Sequence, residues 1–400
     1  MLSNPPLSLY IHIPWCIKKC PYCDFNSHGI KQGDSIADIP ETLYVDRLLE
    51  DLAQQVPTVW GRKLHSIFIG GGTPSLFSAS AIDKLISGVR ALIPFEGDIE
   101  ITMEANPGTF EADKFLGFRQ AGINRLSIGV QSFNAKHLQQ LGRVHDPEQA
   151  IAAAEFAHKA GFKSFNLDLM HGLPNQTTEQ ALSDLQTAID LKPQHISWYQ
   201  LTLEPNTLFY QQPPSLPQDE TLWDIQEAGQ QLLANNGFNQ YEISAYAQDF
   251  HYQSRHNLNY WQFGDYLGIG AGAHGKVTRI DLNEIQRTNN KRHPKDYLTQ
   301  DWTQVTETKS IPSHELPFEF MLNALRLVEG VPANIYSQRT GLLLQDIAPM
   351  LTEAKQDGLL ENMDNWIKPS AKGSLFLNEL LERFIIEQDA KHKTISIKSL

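Results

Sequence analysis

Cysteine is scarce in this 400-residue chain: there are three, Cys16, Cys20 and Cys23, all within one short stretch. An odd, tightly grouped set excludes a disulfide framework and points to a metal site in a reducing compartment. Basic residues are also short, with 33 Lys and Arg against 46 Asp and Glu and a formal charge of −13. Nucleic-acid affinity rests on cations neutralising phosphates, so nucleic acid is not an expected partner. No apolar run approaches the roughly 20 residues needed to span a bilayer. The first residues, Met1 to Pro6, carry no basic n-region, so the expected location is cytoplasmic. Low-complexity tracts and short repeats are missing as well. What is present is an ordinary globular composition, 41% hydrophobic and 20% charged, on a chain long enough to build its core without staples.

From Leu7 to about Leu203, short β-branched or apolar runs alternate with longer helical patterns, which is the pattern of βα units forming a parallel sheet. Strands are expected at Ser8–Ile13, Ser66–Ile69, Ile99–Met103, Arg125–Ile128, Ser164–Leu169 and His195–Gln200. Helices are expected at Thr42–Gln55, Ala79–Leu92, Glu111–Gln120, Pro147–Lys159 and Glu179–Leu191. The spacing of Leu43, Val45, Leu48, Leu49 and Leu52 is that of an apolar helix face. The fold class is therefore α/β, a partial TIM-type (β/α)6 barrel with its chemistry at the C-terminal ends of the strands. The barrel is expected over residues 1–215, ending at the Pro-rich stretch Gln211 to Pro217. Residues 216–300 form a connecting region that extends it, including a strand-like Tyr241–Tyr246 and a polar stretch from Asp281 to Asp301. Residues 301–400 form a mainly helical, winged-helix-like domain, with helical patterns at Glu315–Leu327, Gln345–Asp357 and Asn378–Gln388 and a turn or wing at Trp366–Lys372.

Thiolates in a C-x3-C-x2-C pattern can each reach a different iron of a cubane cluster, leaving the fourth iron open. The competing account is zinc, which would need His12 or His28 as its fourth ligand. After the second strand comes Gly70-Gly71-Gly72-Thr73, which allows close backbone approach to a ligand or simply makes a tight turn. Glu104, Gln131 and Asp168 fall at the ends of the third, fourth and fifth strands, where a barrel places its ligand contacts. Taken singly, each could equally be a helix cap or a surface residue. Gly268 to Lys276 contains both GxGxxG and GxxxxGK, but Val277 stands where a phosphate loop needs Ser or Thr, so a nucleotide triphosphate site is not expected.

Tyr10-Ile11-His12-Ile13-Pro14-Trp15-Cys16 with Cys20-Pro21-Tyr22-Cys23 resembles the radical S-adenosylmethionine (SAM) group that includes coproporphyrinogen oxidases. The resemblance runs almost continuously from Leu7 to Pro205. It implies a [4Fe-4S] cluster on Cys16, Cys20 and Cys23, with SAM chelated by the open iron and cleaved on reduction. It further implies SAM contacts from Tyr10, Tyr22, Gly71, Gly72, Thr73, Glu104, Gln131, Arg143 and Asp168.

Within this group, the oxygen-independent oxidase has a fourth cysteine two positions after the third, and Phe25 occupies that position here. The oxidase also has an N-terminal extension enclosing its active site, whereas fifteen residues precede Cys16. Both departures resemble the HemW branch, as does His256-Asn257-Leu258-Asn259-Tyr260-Trp261, matching a motif linked there to haem binding. Imidazole is a common axial haem ligand and aromatics pack on porphyrin faces, although the same residues suit a plain turn with buried aromatics. His251 and His274 lie nearby, so the identity of the ligand stays open between them and His256. The resemblance implies a haem chaperone with haem, an acceptor protein such as a membrane-associated respiratory protein, and an electron donor as partners. The alternative is an enzyme decarboxylating coproporphyrinogen III to protoporphyrinogen IX, or another radical SAM reaction on a tetrapyrrole. A zinc protein without redox chemistry is the third reading.

Overall fold

Successive residues of a strand face opposite ways, and in this chain the two faces have different chemistry. In β1 (Leu7–Ile13), Leu7, Leu9, Ile11 and Ile13 are buried in the main apolar core, while Ser8, Tyr10 and His12 make polar contacts on the other face. The computed structural model describes residues 2–30, 33, 35–108 and 114–386. The same division recurs in β2 (Leu64–Gly71), β3 (Phe95–Ala105), β4 (Arg125–Gln131), β5 (Ser164–His171) and β6 (His195–Gln200). These six strands pair in parallel in chain order. Their apolar faces lie under helices, and their polar faces line a lumen, which is the (β/α)6 arrangement.

Between the strands run helices Glu41–Gln55, Ala79–Leu92, Phe115–Gln120, Pro147–Lys159 and Thr178–Asp190. Local signals start several of them. Asp146 and Gln149 cap each other ahead of Pro147, and Thr177 and Gln180 do the same, satisfying amides that the first turn leaves open. The first helix differs from its expected stripe. Leu43 is 57% exposed, and Tyr44 takes the buried position beside Val45, Leu48 and Leu52. Residues 109–113, with the expected start of the third helix, lie outside the described residues; Phe115–Gln120 is helical.

The sheet continues past the six units. β7 (Asn239–Glu242) and β8 (Ala245–Ala247) form an antiparallel hairpin, and β8 pairs beside β6. The expected Tyr241–Tyr246 strand is thus two strands with a turn between them. On the other edge, β9 (Asp265–Ile269) joins β1 in parallel, followed by antiparallel β10 (His274–Arg279), β11 (Glu284–Asn290) and β12 (Thr306–Ser310). The polar stretch from Asp281 to Asp301 therefore contains a strand that periodicity hides, because in β11 only Ile285 and Asn290 are buried. The glycine-rich run after β9 turns directly into β10 rather than into a helix, so it has no phosphate-loop geometry.

A second core, built on Phe320, Met321, Leu325, Tyr336, Ile347, Leu359 and Leu380, lies among helices Leu316–Ala324, Ala333–Thr340, Ala348–Gln356 and Leu377–Glu382. Val331–Pro332 pairs antiparallel with Trp366–Ile367, giving a small wing. Among the described residues, no helix is long and apolar enough to cross a membrane.

Candidate metal and cofactor site

The cysteine loop leaves the C-terminal end of β1 and is fastened on both sides. Trp15–Cys16 pairs in parallel with His28–Gly29, and Gly72 N and Thr73 N donate to Ile13 O and Trp15 O, each at 2.7 Å. A Cβ on Gly72 would come within 2.5 Å of Trp15 O, so a side chain there would push the two loops apart. Gly71 has φ +114°, and a Cβ there would strike the His12 ring, leaving glycine as the residue that fits.

Beside this seam is a cavity of about 400 Å³. Cys16, Cys20, Cys23, Tyr22, Gly71, Gly72, Thr73, Glu104, Gln131, Arg143 and Asp168 all line it. Residues from six separate segments therefore meet at the C-terminal end of the strands. Gln131 sits at φ 70° where the β4–β5 register shifts. This is an unusual conformation for a residue with a side chain; its Oε1 accepts from Tyr199 OH at 2.8 Å. Arg143 donates to Asn106 Oδ1 at 2.7 Å and Gly129 O at 2.6 Å, and Nη1 lies 3.7 Å from Cys20 Sγ. Asn106 in turn donates to Thr73 Oγ1 at 2.8 Å. Asp168 accepts from Ser127 Oγ at 2.9 Å and Asn166 Nδ2 at 2.7 Å. Sequence reasoning missed Asn106, Ser127 and Tyr199.

Burial dominates the electrostatics. It pushes the Glu104 carboxyl up to about 7, with the charge of Asp168 second, against a hydrogen bond from Gly71 N. Burial also raises Asp168 and the Cys16 and Cys23 thiols. Thiolates at those positions therefore call for a metal to hold them. Among the described residues, no three His, Cys, Asp or Glu side chains converge on a point suited to one metal ion. A cubane asks for the opposite, one thiolate at each of three separate irons, and the donor set fits that demand. Two buried carboxylates facing the same cavity suit a cationic organic ligand such as SAM.

Two expected residues lie elsewhere. Tyr10 is deeper in the lumen, its hydroxyl 2.9 Å from His12 Nδ1 and its ring stacked on Phe68 at 6.3 Å between centroids. His256 is 1% exposed at the opposite, N-terminal end of the strands. Its Nδ1 meets Ser66 Oγ at 3.1 Å and its Nε2 meets Tyr260 OH at 2.9 Å. In this structure both ring nitrogens of His256 have hydrogen-bond partners. The rest of the motif acts in the same way. Asn259 Nδ2 donates to Ser8 Oγ and Asp265 O, each at 2.8 Å, and Trp261 packs against the second core with Arg326 over its ring at 4.3 Å. Helix Arg255–Trp261 thus plugs the barrel and joins it to the C-terminal domain. His251 and His274 are both on the surface.

Comparison with known proteins identifies the family. Residues 10–188 match the radical SAM superfamily model, and residues 311–376 match the HemN C-terminal domain. The solved structure of coproporphyrinogen III oxidase (HemN) from Escherichia coli superposes with a TM-score of 0.78 at 25% identity, covering 96% of this chain and 90% of that one. Proteins named heme chaperone HemW match along nearly their whole length. That of Haemophilus influenzae is 54% identical, covering 97% of this chain and 100% of the relative. For Escherichia coli the figures are 52%, 97% and 100%, and for Bacillus subtilis 33%, 95% and 99%. On that likeness, the chain belongs to the heme chaperone HemW family of radical SAM proteins.

Proposed function

We propose that the protein is a haem chaperone, holding haem together with a SAM-ligated [4Fe-4S] cluster and passing the haem to an acceptor protein. The observation that carries this reading is the likeness, above 50% identity over nearly the full length, to two proteins named for that activity. Cys16, Cys20 and Cys23 would hold the cluster. Glu104, Gln131, Arg143, Asp168 and the Gly71–Thr73 turn would hold SAM. When bound, that pair supplies one-electron chemistry at a sulfonium, with an electron donor as a further partner.

The chain's own residues do the positioning. Arg143 spans Cys20, Asn106 and Gly129, so the cysteine loop and two strand ends share one cation. Glu104 ties the glycine turn to β3 and presents its other oxygen to the cavity. The hydrogen-bonded seam between the glycine turn and the cysteine loop fixes the cavity wall.

The oxidase remains the second reading because of the fold likeness to HemN. Two features weigh against it. Phe25, where that enzyme has a fourth cysteine, is 60% exposed. The described N-terminal residues run away from the cavity: Ser3 N donates to Gln338 O in the C-terminal domain, and Pro5 O accepts from Arg62. The test uses anaerobically reconstituted full-length protein. Haem titration should saturate with no product from coproporphyrinogen III, SAM and reductant, and haem should then move to an apo acceptor. Formation of protoporphyrinogen IX by the wild type would overturn the carrier-only reading.

A further inference from the structure

A cluster on the cysteine loop has to receive an electron, and electron transfer falls off exponentially with distance, so the reductant must touch the protein beside that loop. Most sides of the loop are already taken. Its inner side faces the cavity, where Arg143 Nη1 lies 3.7 Å from Cys20 Sγ. Toward Pro21 it is covered, because Phe209 N donates to Pro21 O at 3.0 Å and a Cβ on Gly142 would meet Pro21 Cδ at 2.9 Å. On the strand side, His28 N donates to Pro14 O at 2.7 Å and Ile30 N to Cys16 O at 2.9 Å. Among the described residues, what stays open is the face made by Ile17, Lys18, Lys19 and Phe25. Ile17, Lys18 and Lys19 each stand within two positions of a cysteine, which is about 7 Å of extended chain at most.

This face has a charge unlike the rest of the chain. Lys18, Lys19 and Arg292 are exposed, and hydrogen bonds draw their segments together: Lys19 Nζ donates to Phe25 O at 3.0 Å, and Asn26 Nδ2 donates to Arg292 O at 2.8 Å. Burial and the neighbouring His293 lower the pKa of His28, and the charges of Lys19 and Arg292 are both close enough to lower it further. Asp24 is the one acid between Cys16 and Ile30. On a chain of formal charge −13 this is a local reversal of sign, so the net field repels an acidic protein while this face attracts it. Encounter is thereby steered to the cluster. Ile17 and Phe25, 43% and 60% exposed, add apolar area that sheds water on contact. A second copy of this chain would set the same cations against one another across a twofold axis. A patch of five side chains suits the transient redox encounters that bury less than about 1,200 Å² in total, rather than a permanent subunit.

We propose that Ile17, Lys18, Lys19, Phe25 and Arg292 form the docking surface for an acidic one-electron carrier protein, which reduces the cluster through the loop between Cys16 and Cys20. This docking rests on the cluster reading above and gives its electron donor a place and a charge. One electron leaves the reduced carrier and enters the oxidised cluster, and no bond forms or breaks in either protein.

The test uses anaerobically reconstituted full-length protein with an acidic flavodoxin as the probe. Affinity is measured by fluorescence anisotropy at low and moderate salt, and cluster reduction by stopped-flow bleaching on mixing with reduced flavodoxin; iron and sulfide are measured on each sample. The wild type should bind flavodoxin and lose affinity as salt rises. Lys18→Glu/Lys19→Glu should weaken binding at low salt at least about tenfold and slow reduction by flavodoxin by a like factor. Dithionite, too small to need a docking face, should reduce wild type and variant to the same extent. Arg292→Glu lies outside the cysteine loop and should weaken binding about threefold, which keeps the placement testable if the loop variant loads no cluster. Wild-type affinity in both variants, or no binding of flavodoxin by the wild type at low salt, would overturn the surface while leaving the cluster reading standing. So would a dimer in sedimentation velocity that the charge reversal abolishes, since a second copy would then own the face. Background iron and sulfide in the wild type would overturn the cluster reading as well.

Discussion

At the C-terminal end of the barrel strands, Glu104, Asp168 and Arg143 keep polar atoms turned toward a cavity and are held there by neighbours such as Asn106, Ser127 and Gly71. At the N-terminal end, His256, Tyr260, Ser66, Ser8 and Asn259 use their hydrogen-bonding capacity on one another. Both ends hold buried polar side chains of types that could bind a ligand. What separates them is where the side chains face, since those at the C-terminal end line a cavity with room for a ligand while those at the N-terminal end close on one another.

That contrast can be broken by substitution. The largest effect is expected at the upper end, where Cys20→Ser should reduce iron and sulfide to background after anaerobic reconstitution. Retention of a full cluster would remove the cysteines from their assigned role. At the lower end, His256→Ala deletes a buried ring with two hydrogen bonds and should lower stability by about 2–4 kcal/mol, measured by denaturant unfolding, with cluster content unchanged. Unaltered stability together with lost haem binding would reverse the comparison. A smaller effect is expected from Glu104→Gln, which should weaken SAM binding about tenfold at about pH 8 by removing a charge-assisted contact.

The pH dependence follows from the same carboxyl. With Glu104 pushed up to about 7, it is protonated below that value and loses its attraction for a cationic ligand. SAM affinity of the wild type should therefore fall as the pH is lowered through 7, and Glu104→Gln should flatten the profile; isothermal titration at several pH values decides. The smallest effect belongs to Phe25→Cys. An exposed side chain tolerates replacement within about 0.5 kcal/mol, and the added thiol should give neither a changed cluster nor decarboxylation. Appearance of oxidase activity would show that one side chain divides the two branches.

The upper end was legible in the sequence because strand–turn boundaries mark it. Glu104 and Gln131 lie at the ends of their strands, Asp168 is a lone acid inside an apolar one, and the glycine turn closes β2. Tyr199 also carried a signal, lying in step with His195 and Ser197 on the inward face of β6, and Asn106 stands two positions beyond Glu104. The lower end was not legible. A sequence shows that residue 256 is histidine and that Tyr260 lies one turn away, but it does not show that each already holds the other or that Ser66 takes the second nitrogen. Edge strands such as β11 were hidden for a related reason, since a strand with few buried positions has no apolar alternation to read.

Helix Arg255–Trp261 is seven residues long, yet its first turn is seated in the barrel and its last residue in the other core. Hydrogen bonds of His256 and Asn259 hold the one end and the packing of Trp261 the other, so neither core can open fully without disturbing this helix. The two domains should therefore unfold in one cooperative transition, as a single calorimetric peak, and a loosened plug should separate it into two. A short motif would then be retained for holding the two halves in one folding unit, whatever cargo the protein carries.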